Sequence, residues 1–142
     1  MLRQWPQLLA ALWWGGLTAL SFVAVPLAFA HFGSPALAGP YAARLFQLQS
    51  WFSLFAALGL LLWARAQDRQ APAAGRLALL LLPWLLLAAL AALLQEFGVA
   101  ERIVNARSSG GDLRFWHGAG TMLVLLQWIG ALRVFTRLAS RP

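Results

Sequence analysis

The stretch FWHGAGTMLVLLQWIGAL, residues 115–132, decides how the rest of the chain is read. It contains neither arginine nor a carboxylate, and its length approaches the about 20 apolar residues that carry a helix through a bilayer core. Yet it holds His117 near one end and Gln127 near its middle. Polar side chains in hydrocarbon are costly unless something satisfies them, so both require a reason.

The composition extends this reading to the whole chain. Of 142 residues, 61% are hydrophobic and 11% charged; a soluble domain carries about a quarter charged residues. The surface must therefore be covered by lipid, and the length is that of one domain, residues 1–142. All eleven cations are arginine and lie in connections and tails rather than on one basic face, which argues against a nucleic-acid partner. Cysteine is absent, which removes disulfides, thiolate metal sites and cysteine nucleophiles. Lysine is absent as well, so no Schiff base can form.

Four segments are long and apolar enough to span: 8–30, 41–64, 77–97 and 115–135. HFGSPALAGP, punctuated by Gly and Pro, is expected to connect the first two. RAQDRQAPAAGR and GVAERIVNARSSGGDLR form the other connections, with Asp112 a candidate cap for the fourth helix. The basic start and the AFA at 28–30 resemble a signal peptide, but the apolar run is longer than a signal core, so a retained span is expected. The expected fold is all-α, an up-down antiparallel bundle of four transmembrane helices.

Four spans put both termini on one side. That side has Arg3, Arg65, Arg69, Arg76, Arg133, Arg137 and Arg141; the other has Arg44, Arg102, Arg107 and Arg114. The bias predicts cytoplasmic termini. Trp5 and Trp63 fall near inner ends and Trp51 and Trp116 near outer ends, as in aromatic belts. Trp13, Trp14, Trp84 and Trp128 read as lipid-facing bulk.

Polar residues gather at the outer ends: His31; Arg44, Gln47, Gln49 and Ser50; Gln95 and Glu96; Arg102; and Arg114, His117 and Thr121. At roughly 100° per residue, His117, Thr121, Val124 and Trp128 share a face. Gln127 lies about 80° round and roughly 15 Å deeper than His117, so it needs a partner across a helix interface. Gln49 and Ser53, spaced i, i+4, are candidates at shallower depth. On the first helix Ala11, Gly15 and Ala19 form a small-residue ridge on which another backbone could pack. Pro26 is expected to kink the same helix and re-aim His31.

Three readings of the histidines stay open. Both are interfacial residues reached by water, or both are ligands of a metal or haem, or His117 with Glu96 and the nearby arginines relays protons or binds an anion. Copper(I) is poorly supplied with soft ligands, since only Met1 and Met122 are present. No phosphate loop, nucleophile–base signature or zinc-binding HExxH occurs, so a non-enzymatic role is expected.

The wording of LLAALWWGGLTALSFVAVPLAFAHF, AGPYAARLFQLQSW and FGVAERIVNARSSGGDLRFWHGAGTMLVLLQW resembles a family of small bacterial four-span proteins. That family is catalogued as a domain of unknown function, related to transmembrane protein 205 of animals and grouped distantly with the membrane domain of copper-resistance protein D. The matching positions are Trp14, Gly15, Pro26, Phe29, His31, Gly39, Phe46, Gln49, Arg102, Arg107, His117 and Gln127. Glu101, where proline is more usual, and the SSGG insertion depart from the pattern. The resemblance implies membership and leaves the activity open; the distant grouping raises copper. The expectation is an accessory membrane protein whose outer polar cluster binds a metal, haem or a membrane-protein partner, with a homo-oligomer as a further option. The alternative is a haem-binding redox protein or enzyme.

Overall fold

The computed structural model describes residues 4–70, 76–103, 105 and 112–140. Four helices carry the chain: α1 (Trp5–Phe32), α2 (Pro35–Gln70), α3 (Leu77–Ile103) and α4 (Leu113–Ala139), each long and apolar enough to cross a membrane. Each packs on the next, and α4 closes the ring on α1. Gln7 Nε2 donates to the Leu138 carbonyl at 3.3 Å, tying the two ends of the chain together at what is called here the terminal end. The opposite, far end carries the α1–α2 and α3–α4 connections.

Every helix runs past its expected span, and α2 departs most. HFGSPALAGP is not a connection. Gly33, at φ 64°, ends α1 in the left-handed conformation that glycine adopts without strain. Ser34 then opens α2, its carbonyl accepting from Ala38 N at 3.0 Å. Pro35 stands in the first turn, where its missing N–H costs nothing. Pro40 lies one turn further in, on an exposed stretch. At the other end α2 continues through RAQDRQ to Gln70, because Asp68 has work there. Its carboxylate accepts from Leu77 N at 2.7 Å and Ala78 N at 2.9 Å, capping α3 from the preceding helix.

In α1, the turns before Pro26 widen into a π-helical segment, Leu20–Ala24, in which Val25 N–H reaches back five residues to the Leu20 carbonyl. This segment divides the helix. Trp5–Ala19 packs mainly on α4, whereas Val25–Phe32 packs mainly on α2. Beyond the π segment only Ala28 is buried. A second π segment, Leu94–Ala100, falls in α3.

The core of the terminal half is alanine and leucine: Ala10 and Leu17 from α1; Ala57, Leu60 and Ala64 from α2; Leu81, Leu85 and Ala88 from α3; Ala131, Val134 and Leu138 from α4. Its tightest point is Gly130. A Cβ there would lie 2.9 Å from both the Ala88 Cβ and the Trp84 carbonyl oxygen. Outward-facing leucines and phenylalanines such as Leu12, Leu48, Phe55, Leu58, Leu86 and Leu90 are left exposed to lipid.

Two expectations fail here. The Ala11–Gly15–Ala19 ridge is not a packing surface of the bundle: nothing lies within 4 Å of a Cβ built on Gly15, and Ala19 is exposed. The buried stripe of α1 is Pro6, Ala10, Trp13 and Leu17. Nor are the four mid-span tryptophans lipid-facing bulk. Trp13 is fully buried, and the other three are half-buried. Trp14 stacks on Phe135 at 5.8 Å, and Trp128 Nε1 donates to Thr18 Oγ1 at 2.9 Å, so both lie in the α1–α4 seam. Trp84 has the Arg133 guanidinium 5.4 Å above its ring. An indole offers both a large apolar face and one N–H that seeks an acceptor; Trp13 and Trp128 find one, whereas Trp14 Nε1 is buried without a partner and contributes its ring.

Candidate functional site

The polar side chains sit at the far end in two levels. The upper level is an exposed rim. Arg44 Nη1 donates to Gln47 Oε1 at 2.9 Å, and Gln47 Nε2 donates to Glu96 Oε1 at 2.7 Å. This chain ties the start of α2 to the end of α3, with Glu96 half-buried and Arg44 exposed. Arg102 places its guanidinium 4.7 Å from the centre of the Trp116 ring, tying α3 to α4. Asp112 caps α4 as expected, its Oδ1 accepting from Phe115 N at 3.0 Å. Arg114 is exposed. Arg107 and the SSGG insertion lie outside the described residues, as do Arg3 and Arg141.

Both histidines are exposed at this end. His31 lies edge-on to Phe32, with ring centres 5.5 Å apart. His117 offers its carbonyl to Thr121 Oγ1 at 2.9 Å. Among the described residues, no group of three or more His, Asp or Glu side chains is placed to hold a metal ion.

The lower level is inside the bundle and contains no charge. Gln49, Ser50, Gln95 and Gln127 are each 6% exposed or less, and Ser53 is fully buried. The expected Gln49–Ser53 pair forms, Nε2 to Oγ at 3.2 Å. Ser53 Oγ also accepts from Trp13 Nε1 at 3.0 Å. The helix register sets the levels. Asp68 against Leu77 and Gln47 against Glu96 bring Ser50 level with Gln95, and Ser53 level with Ala91 and Ala92. On α4, Gly130 meets Trp84 and Ala88, and Gly120 meets Gln95 and Val99, so Gln127 comes level with the Ala88–Ala92 turn. Trp13, Ser53 and Gln127 thus share one layer, with Gln49, Ser50 and Gln95 a turn nearer the far end.

Gln127 does not find the partner it was expected to have. Its Oε1 is buried and accepts no hydrogen bond, and the same holds for Gln95 Oε1 and Ser50 Oγ. Gln49 and Ser53 use their groups on each other and on Trp13. The sequence reading also missed Trp13 as a member of this set, and Gly120 as the gap beside Gln95. The usable signal for Trp13 was its place on the buried stripe of α1, which the choice of the glycine ridge had turned outward.

Four apolar helices, closed in a ring over their terminal half and carrying an uncharged polar set inside the far half, define a multi-pass helical membrane protein. The family model described as Domain of unknown function (DUF4149) matches residues 8–112, and the chain belongs to that family. No curated protein and no solved structure matches it.

Proposed function

We propose that this chain is a non-enzymatic accessory protein of a bacterial inner membrane, with both termini in the cytoplasm, and that it works by binding a protein partner at the far end of the bundle. One observation carries the reading. Side chains suited to recognition collect on one rim and are braced there, Arg44 through Gln47 onto Glu96 and Arg102 on Trp116, while both guanidinium-bearing residues stay exposed. Arg44, Arg102 and Arg114 stand among Glu96, Glu101 and Asp112, so the rim is mixed in sign. That pattern suits a partner with both charges, such as a loop of another membrane protein, better than an anionic lipid or nucleic acid. The arginine bias supports the orientation.

A second reading keeps His31 and His117 as ligands of haem or copper. It is favoured by the exposure of both imidazoles at the same end, and by the distant grouping that the family resemblance implies with the membrane domain of copper-resistance protein D.

Photo-crosslinking residues placed at His117 and, as a lipid-facing control, at Leu58 separate these readings. A discrete adduct from position 117 that Arg102→Ala abolishes supports the rim. Equal crosslinking from both positions refutes it. A Soret band in the purified protein, lost in both His31→Ala and His117→Ala, would establish the haem reading instead. Reporter fusions after Asp68 and Ser109 test the orientation, and periplasmic activity at Asp68 would reverse it.

A further inference from the structure

We infer that the far half of the bundle encloses a small hydrated chamber, in which water joins Ser50, Ser53, Gln95 and Gln127 beneath the Gln47–Glu96 rim. The starting point is an excess of acceptors. Ser50 Oγ, Gln95 Oε1 and Gln127 Oε1 are all buried, and none accepts a hydrogen bond. Leaving a buried polar atom unpaired is expensive, and hydrocarbon offers no donor to relieve it. These three lie within neighbouring layers of one bundle interior, as the register requires; the other two buried side-chain polar atoms without a partner among the described residues, Trp14 Nε1 and Ser21 Oγ, lie on α1.

Ser53 points the same way. A hydroxyl has two lone pairs and one proton to give. Both lone pairs are engaged, by Trp13 Nε1 and Gln49 Nε2. The proton therefore needs an acceptor, and Gln127 Oε1, in the same layer, needs a donor but is not bonded to it. A molecule that accepts from Ser53 and donates to Gln127 closes both deficits.

The chemistry of the lining selects that molecule. The occupant must donate hydrogen bonds and also accept them. It cannot depend on a counter-charge within the chamber, because the interior set contains none and Glu96 lies at the rim, where it accepts from Gln47. A bare cation in such a site would lack the pairing that buried charge requires. Water meets every condition. Gly120 faces Gln95 with no side chain of its own, leaving room for at least a methyl: a Cβ there would be in ordinary contact, 3.6 Å from the Gln95 amide nitrogen and 3.7 Å from its oxygen. The way in lies at the same end. Gln95 and Glu96 are consecutive in the π segment of α3, one facing the interior and the other the rim, and π segments recur where a helix is adapted to a site.

The test uses the full chain in liposomes, with ¹⁵N in glutamine side chains and ¹³C in alanine methyls, assigned through backbone connectivities. Magnetisation is transferred from water, and its build-up is followed at each group. The chamber predicts that the Gln95 and Gln127 amides build up at rates close to that of Gln47 on the rim and several-fold faster than the Ala88 methyl in the apolar half. Build-up at Gln95 and Gln127 as slow as at Ala88 overturns the inference. This result is independent of whether any partner binds the rim.

Discussion

The terminal and far halves of this bundle are built from the same four helices and solve opposite problems. In the terminal half, α1 lies close against α4, and alanine and leucine interdigitate down to the Gly130–Ala88 contact. In the far half, α1 turns away at its π segment to follow α2, and glutamine and serine join small apolar residues such as Ala42, Ala92 and Val99 in the interior. Between helices in lipid there is no hydrophobic drive to associate, so shape and hydrogen bonds must supply it. The terminal half relies on shape, and the far half on hydrogen bonds, some of which the protein alone leaves unmade.

The comparison breaks most sharply at Gly130. Gly130→Leu forces apart two backbones, since neither the Trp84 carbonyl nor the Ala88 Cβ can swing aside. The expected loss is about 3 kcal/mol or more, at the upper end of overpacking costs, read as a collapse of the thermal transition in one detergent. A melt close to that of the parent would show that the terminal half is not held by shape. Ser53→Ala comes next. It strands the Trp13 indole and the Gln49 amide together, and should cost about 1–3 kcal/mol. Unchanged stability would mean that these donors have other acceptors. Gln127→Leu is expected to lower stability by about 0.5–2 kcal/mol, the range of an interhelical polar contact. A raised melting temperature would instead reveal a dry amide better replaced by leucine. Gly15→Leu should have the smallest effect, within about 0.5 kcal/mol, because the new side chain enters lipid. A loss matching that of Gly130→Leu would restore the ridge as an interface.

How much of this was legible follows from what each signal measures. Hydropathy reports transfer into lipid, so the four spans and the all-helical fold could be read directly. It does not say which face of a helix meets protein. Gly15, directly after Trp14, and Gly130, two residues after Trp128, both lie in apolar surroundings, and only the approach of α3 distinguishes them. Trp13 and Trp14 are adjacent, yet one is sealed against Ser53 and the other stacks in a seam. The i, i+4 pair Gln49–Ser53 was readable because both members share one helix face. The Gln47–Glu96 and Asp68–Leu77 bonds were not, because they depend on the register between two helices. Gathering the polar residues at one end was sound; sorting them into a rim and an interior required the bundle. Likewise α2 was drawn too short, since its first two turns hold Pro35 and Pro40 and its last a carboxylate whose partner lies on the next helix.

The fit of Gly130 against α3 also bears on how the chain enters the membrane. The most apolar window of α3 has a mean hydropathy of 2.7, the highest of the four, and that of α4 has 1.4, the lowest. The weakest span is therefore made directly after the strongest and docks on it through a glycine. Insertion of α4 is then a matter of recruitment by a helix already in place rather than of its own partitioning, and its buried glutamine is tolerable because it never faces lipid alone. On this account a bulky residue at Gly130 should leave a fraction of chains with α4 outside the bilayer. A reporter at the C-terminus would register those chains on the wrong side of the membrane, and a uniform location would show that α4 inserts unaided.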